Sequence, residues 1–161
     1  MNTAVINKRF TFDAAHQLPS HDGKCARLHG HTYAVEVTLS GPVRSPDGYP
    51  DESMVVDFYQ VSKVFKDTIE ALCDHRFMIP LRHPRVRVEH QGELLAVLLN
   101  TSRYVLEPQN FALLPIDNTT AECLSAWMLD TMRQQLPQTV AVRVYETPTS
   151  YAEAVYVGDL G

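Results

Sequence analysis

Two long alternating runs constrain this chain more than anything else in it. Within residues 5–18, Phe10, Phe12, Ala14 and His16 share one parity, and within residues 29–39, Tyr33, Val35, Val37 and Leu39 do the same. A period of two with apolar residues on one parity marks a strand that buries one face. The polar SHDGK loop between the runs predicts that they pair as a hairpin, and Gly41-Pro42 is expected to end the second run. His16 then closes an inward-facing row. Residues 44–53, RSPDGYPDES, read as a turn-rich loop with an Asp-Gly step.

Beyond that loop the period becomes helical. Asp57 suits an N-cap, Gln60 follows three residues later, and Val61, Val64, Phe65, Ile69 and Leu72 recur at helical spacing, so a helix is predicted from 57 to about 73. A second is predicted to start at Thr119, with Thr-x-x-Glu to Glu122 as a capping box. Leu124, Met128, Met132 and Leu136 form its apolar stripe, and Pro137 stops it. Val140, Val142 and Val144 then alternate again, and residues 151–157 read as a closing strand. Between the helices, VRVEH, ELLAVLL and RYVLE are separated by turn steps, which fits two or three short antiparallel strands. The reading is one α+β domain over 1–161 in the order ββααββ, with an inserted β-rich excursion over 79–115. A length of 161 residues, 45% of them hydrophobic, suits one domain.

Composition removes several function classes. Fourteen Lys+Arg against 19 Asp+Glu leave a formal charge of −5, which speaks against a nucleic-acid partner, because gripping a phosphate backbone needs a basic face. The longest apolar run, residues 94–99, is far short of the roughly twenty residues that cross a bilayer, so no membrane partner is expected. The opening MNTAVINKRF lacks an apolar signal core and three cysteines cannot all pair, so a reducing, cytoplasmic setting is expected.

The densest chemical signal is Cys25-Ala-Arg-Leu-His29-Gly-His31. On an extended chain residues i and i+2 point the same way, so His29 and His31 can offer two nitrogens to one metal, and His16 on the neighbouring strand can offer a third. Without a metal the same residues would be a wet strand end. Cys25 lies among Lys24 and Arg27, cations of the kind that lower a thiol's pKa, and is open to three readings: a fourth ligand, a buried thiol, or a base beside the metal. Glu146 continues the inward parity of Val142 and Val144, where a carboxylate needs a partner. That partner is either an internal Arg or Lys or a ligand with two adjacent N–H groups. Asp74 and His75 can couple only if the chain leaves the helix there. His21, His83 and His90 read as surface residues.

Together the segments FTFDAAHQLP, KCARLHGHTY, VVDF, CDHR, NTTAECLSAWM and VYETPTSYAEAVYVG resemble the 6-pyruvoyl-tetrahydropterin synthase and 6-carboxy-tetrahydropterin synthase family over nearly the whole chain. The resemblance implies a T-fold, an antiparallel sheet with two helices on one face. It also implies a homo-oligomer, a hexamer, with active sites between subunits. It assigns zinc to His16, His29 and His31, proton movement to Cys25, and a relay supplied by a neighbouring subunit to Asp74 and His75. Glu146 would anchor the pterin ring and Thr120 would line its pocket, with Lys24, Arg27 and Arg76 as candidates for holding a triphosphate. The spacing C-x-x-x-H-G-H resembles the carboxy branch, whose substrate is a pterin triphosphate; the pyruvoyl branch and a non-catalytic zinc-containing pterin or purine module are the alternatives. CDHR is followed by FMIP where the family carries a short Leu-Asn continuation.

Overall fold

The two alternating runs form one long hairpin. The computed structural model describes residues 2–158. In it β1 (Thr3–His16) and β2 (His29–Pro42) pair antiparallel from Thr3 opposite Pro42 to His16 opposite His29. β2 therefore runs on through Gly41 and Pro42, where a proline at the last position of the strand is tolerated. Gly30 is required by contact: a Cβ there would lie 3.0 Å from the carbonyl oxygen of Ala14 on the neighbouring strand.

Asp57 caps the first helix as expected, its carboxylate accepting from the Tyr59 N–H at 2.8 Å. Helix α1 (Phe58–Phe65) continues through a π turn (Lys66–Glu70) and one α turn (Ala71–Cys73). The second helix, α2 (Ala121–Gln135), is capped by Thr120 rather than Thr119: the Thr120 hydroxyl accepts from the Cys123 N–H at 3.4 Å. Thr119 stays outside the helix, and its carbonyl serves a histidine ring described below. The expected box between Thr119 and Glu122 does not form, and Glu122 falls in the first turn of α2.

The order of elements departs from ββααββ. Two short strands, β3 (Arg76–Pro80) and β7 (Phe111–Leu114), join the main sheet between the helices, and three more, β4 (Val86–Gln91), β5 (Leu94–Leu99) and β6 (Ser102–Leu106), form a sheet of their own. With β8 (Thr139–Thr147) and β9 (Ser150–Val155) the main sheet runs β7-β3-β1-β2-β8-β9. It is mixed rather than antiparallel, because β1 with β3 and β3 with β7 are parallel pairs. The stretch 79–115 thus divides: its two ends belong to the main sheet and its middle makes the separate one.

Both helices lie on one face of the main sheet. Phe10, Phe12, Val35, Val37, Val142 and Val144 meet Val61, Phe65, Leu124 and Met128 in a single core, with the Phe10 and Phe65 rings stacked 4.0 Å apart. The opposite face is covered only at its β3–β7 end, where Phe77, Ile79 and Phe111 pack on Leu95, Val97 and Leu99 of the separate sheet. The layered α+β architecture with two helices on one face is the T-fold arrangement.

Candidate active site

Three imidazoles converge at the loop end of the hairpin. His16, His29 and His31 each bring a ring nitrogen within 4.8 Å of the others, and His16 is buried while its two partners are partly exposed. The backbone register explains the meeting: His16 and His29 are directly opposed across the ladder and His31 lies two residues along the same face of β2. Tyr33, next on that face, sets its ring edge-on to His16 and His31 at 5.9 and 5.5 Å, as an apolar floor.

The hydrogen bonds decide what these rings offer. Nδ1 of His16 lies 2.9 Å from the Thr119 carbonyl and Nδ1 of His29 lies 2.7 Å from the Arg27 carbonyl. A carbonyl only accepts, so each Nδ1 carries the proton and each Nε2 is left with a lone pair. Those two Nε2 atoms face each other at 3.0 Å. Two lone pairs at that distance repel unless a cation sits between them, and a proton is disfavoured: burial, followed by the charges of His29 and His31, pushes His16 down to about 4 despite the Thr119 carbonyl. Burial and then His29 also lower His31. Ligand rings oriented by backbone carbonyls, with ring nitrogens aimed at one point, fit a divalent metal that accepts nitrogen donors.

Beside this centre is a cavity of about 260 Å3 lined by Thr120, Glu122, Glu146, Leu18, Ser150 and Tyr151. Glu146 falls at a break in the β8–β9 register, half-buried, and no Lys or Arg pairs with it among the described residues. The internal cation that could have explained its inward parity is absent. Burial, then the charge of Glu122, raises its pKa above the ordinary carboxylate range. Glu122 is the residue that sequence reasoning passed over, because it served there only as a capping partner. Two carboxylates with no cation between them form a strong acceptor edge for paired N–H donors.

Asp74 and His75 do couple, and the backbone shows how. Asp74 is extended and His75 adopts φ 58, a left-handed conformation that folds the ring back so that Nδ1 lies 2.9 Å from Asp74 Oδ2. Asp13 holds the turn: its carbonyl accepts from the His75 N–H at 2.7 Å and its N–H donates to Asp74 Oδ1 at 3.0 Å. The hydrogen bond and charge of Asp74 raise His75. Burial pulls the Asp74 carboxyl up, but the Asp13 N–H and the His75 ring outweigh it and leave it low. His75 borders a cavity of about 590 Å3 that Asp13, His31, Thr32, Arg76, Phe77 and Tyr104 also line. One of the three histidines, His31, therefore lines the same cavity as His75.

Cys25 lies in a single 3-10 turn (Lys24–Ala26), partly exposed, and is not a member of the histidine cluster. Its carbonyl accepts from the Leu18 N–H at 2.9 Å, closing the loop that follows His16. Of the cations proposed for a phosphate chain, Arg76 lines the large cavity, while Lys24 and Arg27 flank Cys25. His21 and His90 are exposed as read, but His83 is buried, its ring bonded to Ser20 and the Arg85 N–H.

Three convergent histidine nitrogens, a donor set of the kind that holds a metal, thus stand beside an acidic cavity on a T-fold sheet. The 6-pyruvoyl tetrahydropterin synthase family model matches residues 5–156. The 6-carboxy-5,6,7,8-tetrahydropterin synthase of Haemophilus influenzae is 32% identical over 149 residues, covering 92% of this chain and 96% of its own. The enzyme of that name from Synechocystis is 29% identical over 149 residues, covering 92% and 90%. A 6-pyruvoyltetrahydropterin synthase of Plasmodium vivax shares the fold with a TM-score of 0.79 at 21% identity over 96% of this chain and 98% of its own. The chain belongs to the 6-pyruvoyl tetrahydropterin synthase family, and with its relatives it is a lyase-type pterin enzyme. No helix among the described residues is long and apolar enough to cross a membrane.

Proposed function

We propose that the chain is a zinc-dependent 6-carboxy-5,6,7,8-tetrahydropterin synthase. It converts 7,8-dihydroneopterin triphosphate to 6-carboxytetrahydropterin with release of acetaldehyde and triphosphate, an early step toward queuosine and related deazapurines. The observation that carries this reading is the pair of Nε2 lone pairs facing at 3.0 Å, each fixed by an Nδ1–carbonyl contact, in a chain with C-x-x-x-H-G-H spacing. The names of the curated relatives support the carboxy branch.

Zinc held by His16, His29 and His31 supplies Lewis acidity toward hydroxyls of the substrate side chain. Cys25, as thiolate, takes a carbon-bound proton, and His75, oriented by Asp74, which favours its protonated form, returns one. Glu146 accepts the amino and amide N–H groups of the pterin ring in the cavity that Thr120 lines, and Lys24, Arg27 and Arg76 face the triphosphate. By the family resemblance Asp74 and His75 serve a neighbouring copy, and the working unit is a cytoplasmic homo-oligomer, a hexamer.

Zinc-loaded protein incubated with 7,8-dihydroneopterin triphosphate is expected to yield 6-carboxytetrahydropterin and acetaldehyde by mass analysis. A 6-pyruvoyl product without acetaldehyde moves the chain to the pyruvoyl branch; unchanged substrate beside measurable binding makes it a binding module. Glu146→Gln is expected to raise KM about tenfold or more, the usual worth of a charged hydrogen bond.

A further inference from the structure

The separate β4–β6 sheet touches the proposed catalytic loop at two points. Gln17, which directly follows the histidine ligand His16, is buried at 4% exposure. Both ends of its amide are satisfied by β6: its Nε2 donates to Ser102 Oγ at 3.1 Å, and the Tyr104 hydroxyl donates to its Oε1 at 2.7 Å. Three residues further along the same loop, Ser20 Oγ meets the buried His83 ring at 3.2 Å, in the turn that leads into β4. The loop closes on itself through the Leu18 N–H and the Cys25 carbonyl, so whatever holds Gln17 and Ser20 also holds the segment carrying the thiol.

β6 is itself firmly seated. The Tyr104 ring stands edge-on to Phe77 of β3 at 5.0 Å, and β5 beside it contributes Leu95, Val97 and Leu99 to the second core. A buried amide whose donor and acceptor are both matched is worth more as a positional constraint than as stability, because any displacement strands two polar groups away from water. The loop between His16 and His29 has only a one-turn helix of its own and has to borrow its rigidity from elsewhere.

We infer that the β4–β6 sheet is a brace for the Cys25 loop, and that Gln17 and Tyr104 are positioning residues for the thiol. This rests on the reading of Cys25 as the proton-moving group, and it gives the excursion a part in the reaction. The brace acts through the loop: Tyr104 and Gln17 set where the Cys25 turn stands relative to the histidines.

The test uses Tyr104→Phe, which keeps the ring packed on Phe77, and Gln17→Met, with Ser102→Ala as a milder cut should either fail to fold. Iodoacetamide labelling of the intact zinc-loaded protein, read peptide by peptide, reports on the thiols separately. Cys25 and Cys123 are both partly exposed, and Cys123 lies on α2, which supplies none of the hydrogen bonds that hold Gln17 and Ser20. The Cys25 labelling rate and the hydrogen exchange of amides 18–28 are expected to change by about tenfold, the loss of one buried hydrogen bond, with Cys123 unmoved. In turnover kcat falls by a similar factor while KM and bound zinc stay put, and the double variant is no worse than the more severe single one. Unchanged labelling and exchange at the loop overturn the inference, as does a rise shared equally by Cys25 and Cys123, which marks general loosening. If the wild type turns over no pterin, the functional reading fails while labelling and exchange still judge the brace.

Discussion

One strand, β1, supplies two ionisable clusters that behave in opposite ways. His16, at its end, points to the helix side and joins His29 and His31; Asp13, three residues earlier, points to the other face and joins Asp74 and His75. Burial pushes His16 down to about 4, whereas the neighbouring carboxylate raises the exposed His75. The first histidine is thereby biased toward its neutral form, which offers a lone pair, and the second toward its protonated form, which offers a proton. Burial and partner, rather than residue type, assign the two roles.

The harshest way to break this contrast is at the buried cluster. His31→Ala is expected to remove bound zinc and with it all measurable turnover, since two nitrogens remain where catalytic zinc wants three protein ligands. Elemental analysis of the purified variant checks it; full zinc occupancy would mean that His31 is not a ligand. Next come the proton-moving groups. Cys25→Ala and His75→Ala should each retain zinc and lower kcat by about 10^2 to 10^4, the range of general acid–base catalysis. Loss of zinc from Cys25→Ala would instead make the thiol a ligand of a closed structural site.

The two clusters also differ in how legible they are in the amino-acid sequence. The histidine centre is half legible from strand alternation, because parity puts His29 and His31 on one face of β2, and the register that sets His16 opposite His29 completes it. The Asp74–His75 contact hangs on a single backbone angle, φ 58 at His75, that no periodicity encodes. In the same way β3 and β7 escape notice since FMIP and FALL are almost wholly buried and paired in parallel, so they show no alternation. The excursion's strands are legible in VRVEH, ELLAVLL and RYVLE, each with its turn. Burial of His83 and the approach of Glu122 to Glu146 arise from contacts between distant segments, which local pattern does not carry. The cap of α2 falls one residue later than the Thr-x-x-Glu pattern predicts, because Thr119 stays outside the helix with its carbonyl on His16.

A pH series sharpens the contrast at lower amplitude. In metal-free protein His16 stays neutral in the fold down to about pH 4, while the unfolded chain takes up a proton near the ordinary histidine value of 6.5. The unfolded state therefore binds more protons between those values, and the contribution present above pH 6.5 is lost as pH falls, on the order of 3 kcal/mol by pH 4. His75 runs the other way: its raised pKa adds stability that is complete below 6.5 and fades as pH rises through its folded value, weakly, because the ring is exposed. Urea unfolding at stepped pH, with imidazole NMR shifts to tell the rings apart, measures both. A His16 resonance titrating near 6.5 would break the assignment.

The smallest expected effect lies under the histidines. Tyr33 has no exposed surface, its hydroxyl has no partner among the described residues, and burial raises its pKa well above that of a free phenol. An unpaired buried hydroxyl costs about 1–3 kcal/mol of desolvation, so Tyr33→Phe should leave stability unchanged or raise it by up to about 1 kcal/mol. The ring would still stand edge-on to His16 and His31, and zinc affinity should hold within about threefold because the Nδ1 partners of His16 and His29 are carbonyls and not this hydroxyl. A tenfold or larger fall in zinc affinity would show that the hydroxyl, and not only the ring, belongs to the shell that orients the ligands, and would tie the buried cluster to a titratable group as the exposed one is tied to Asp74.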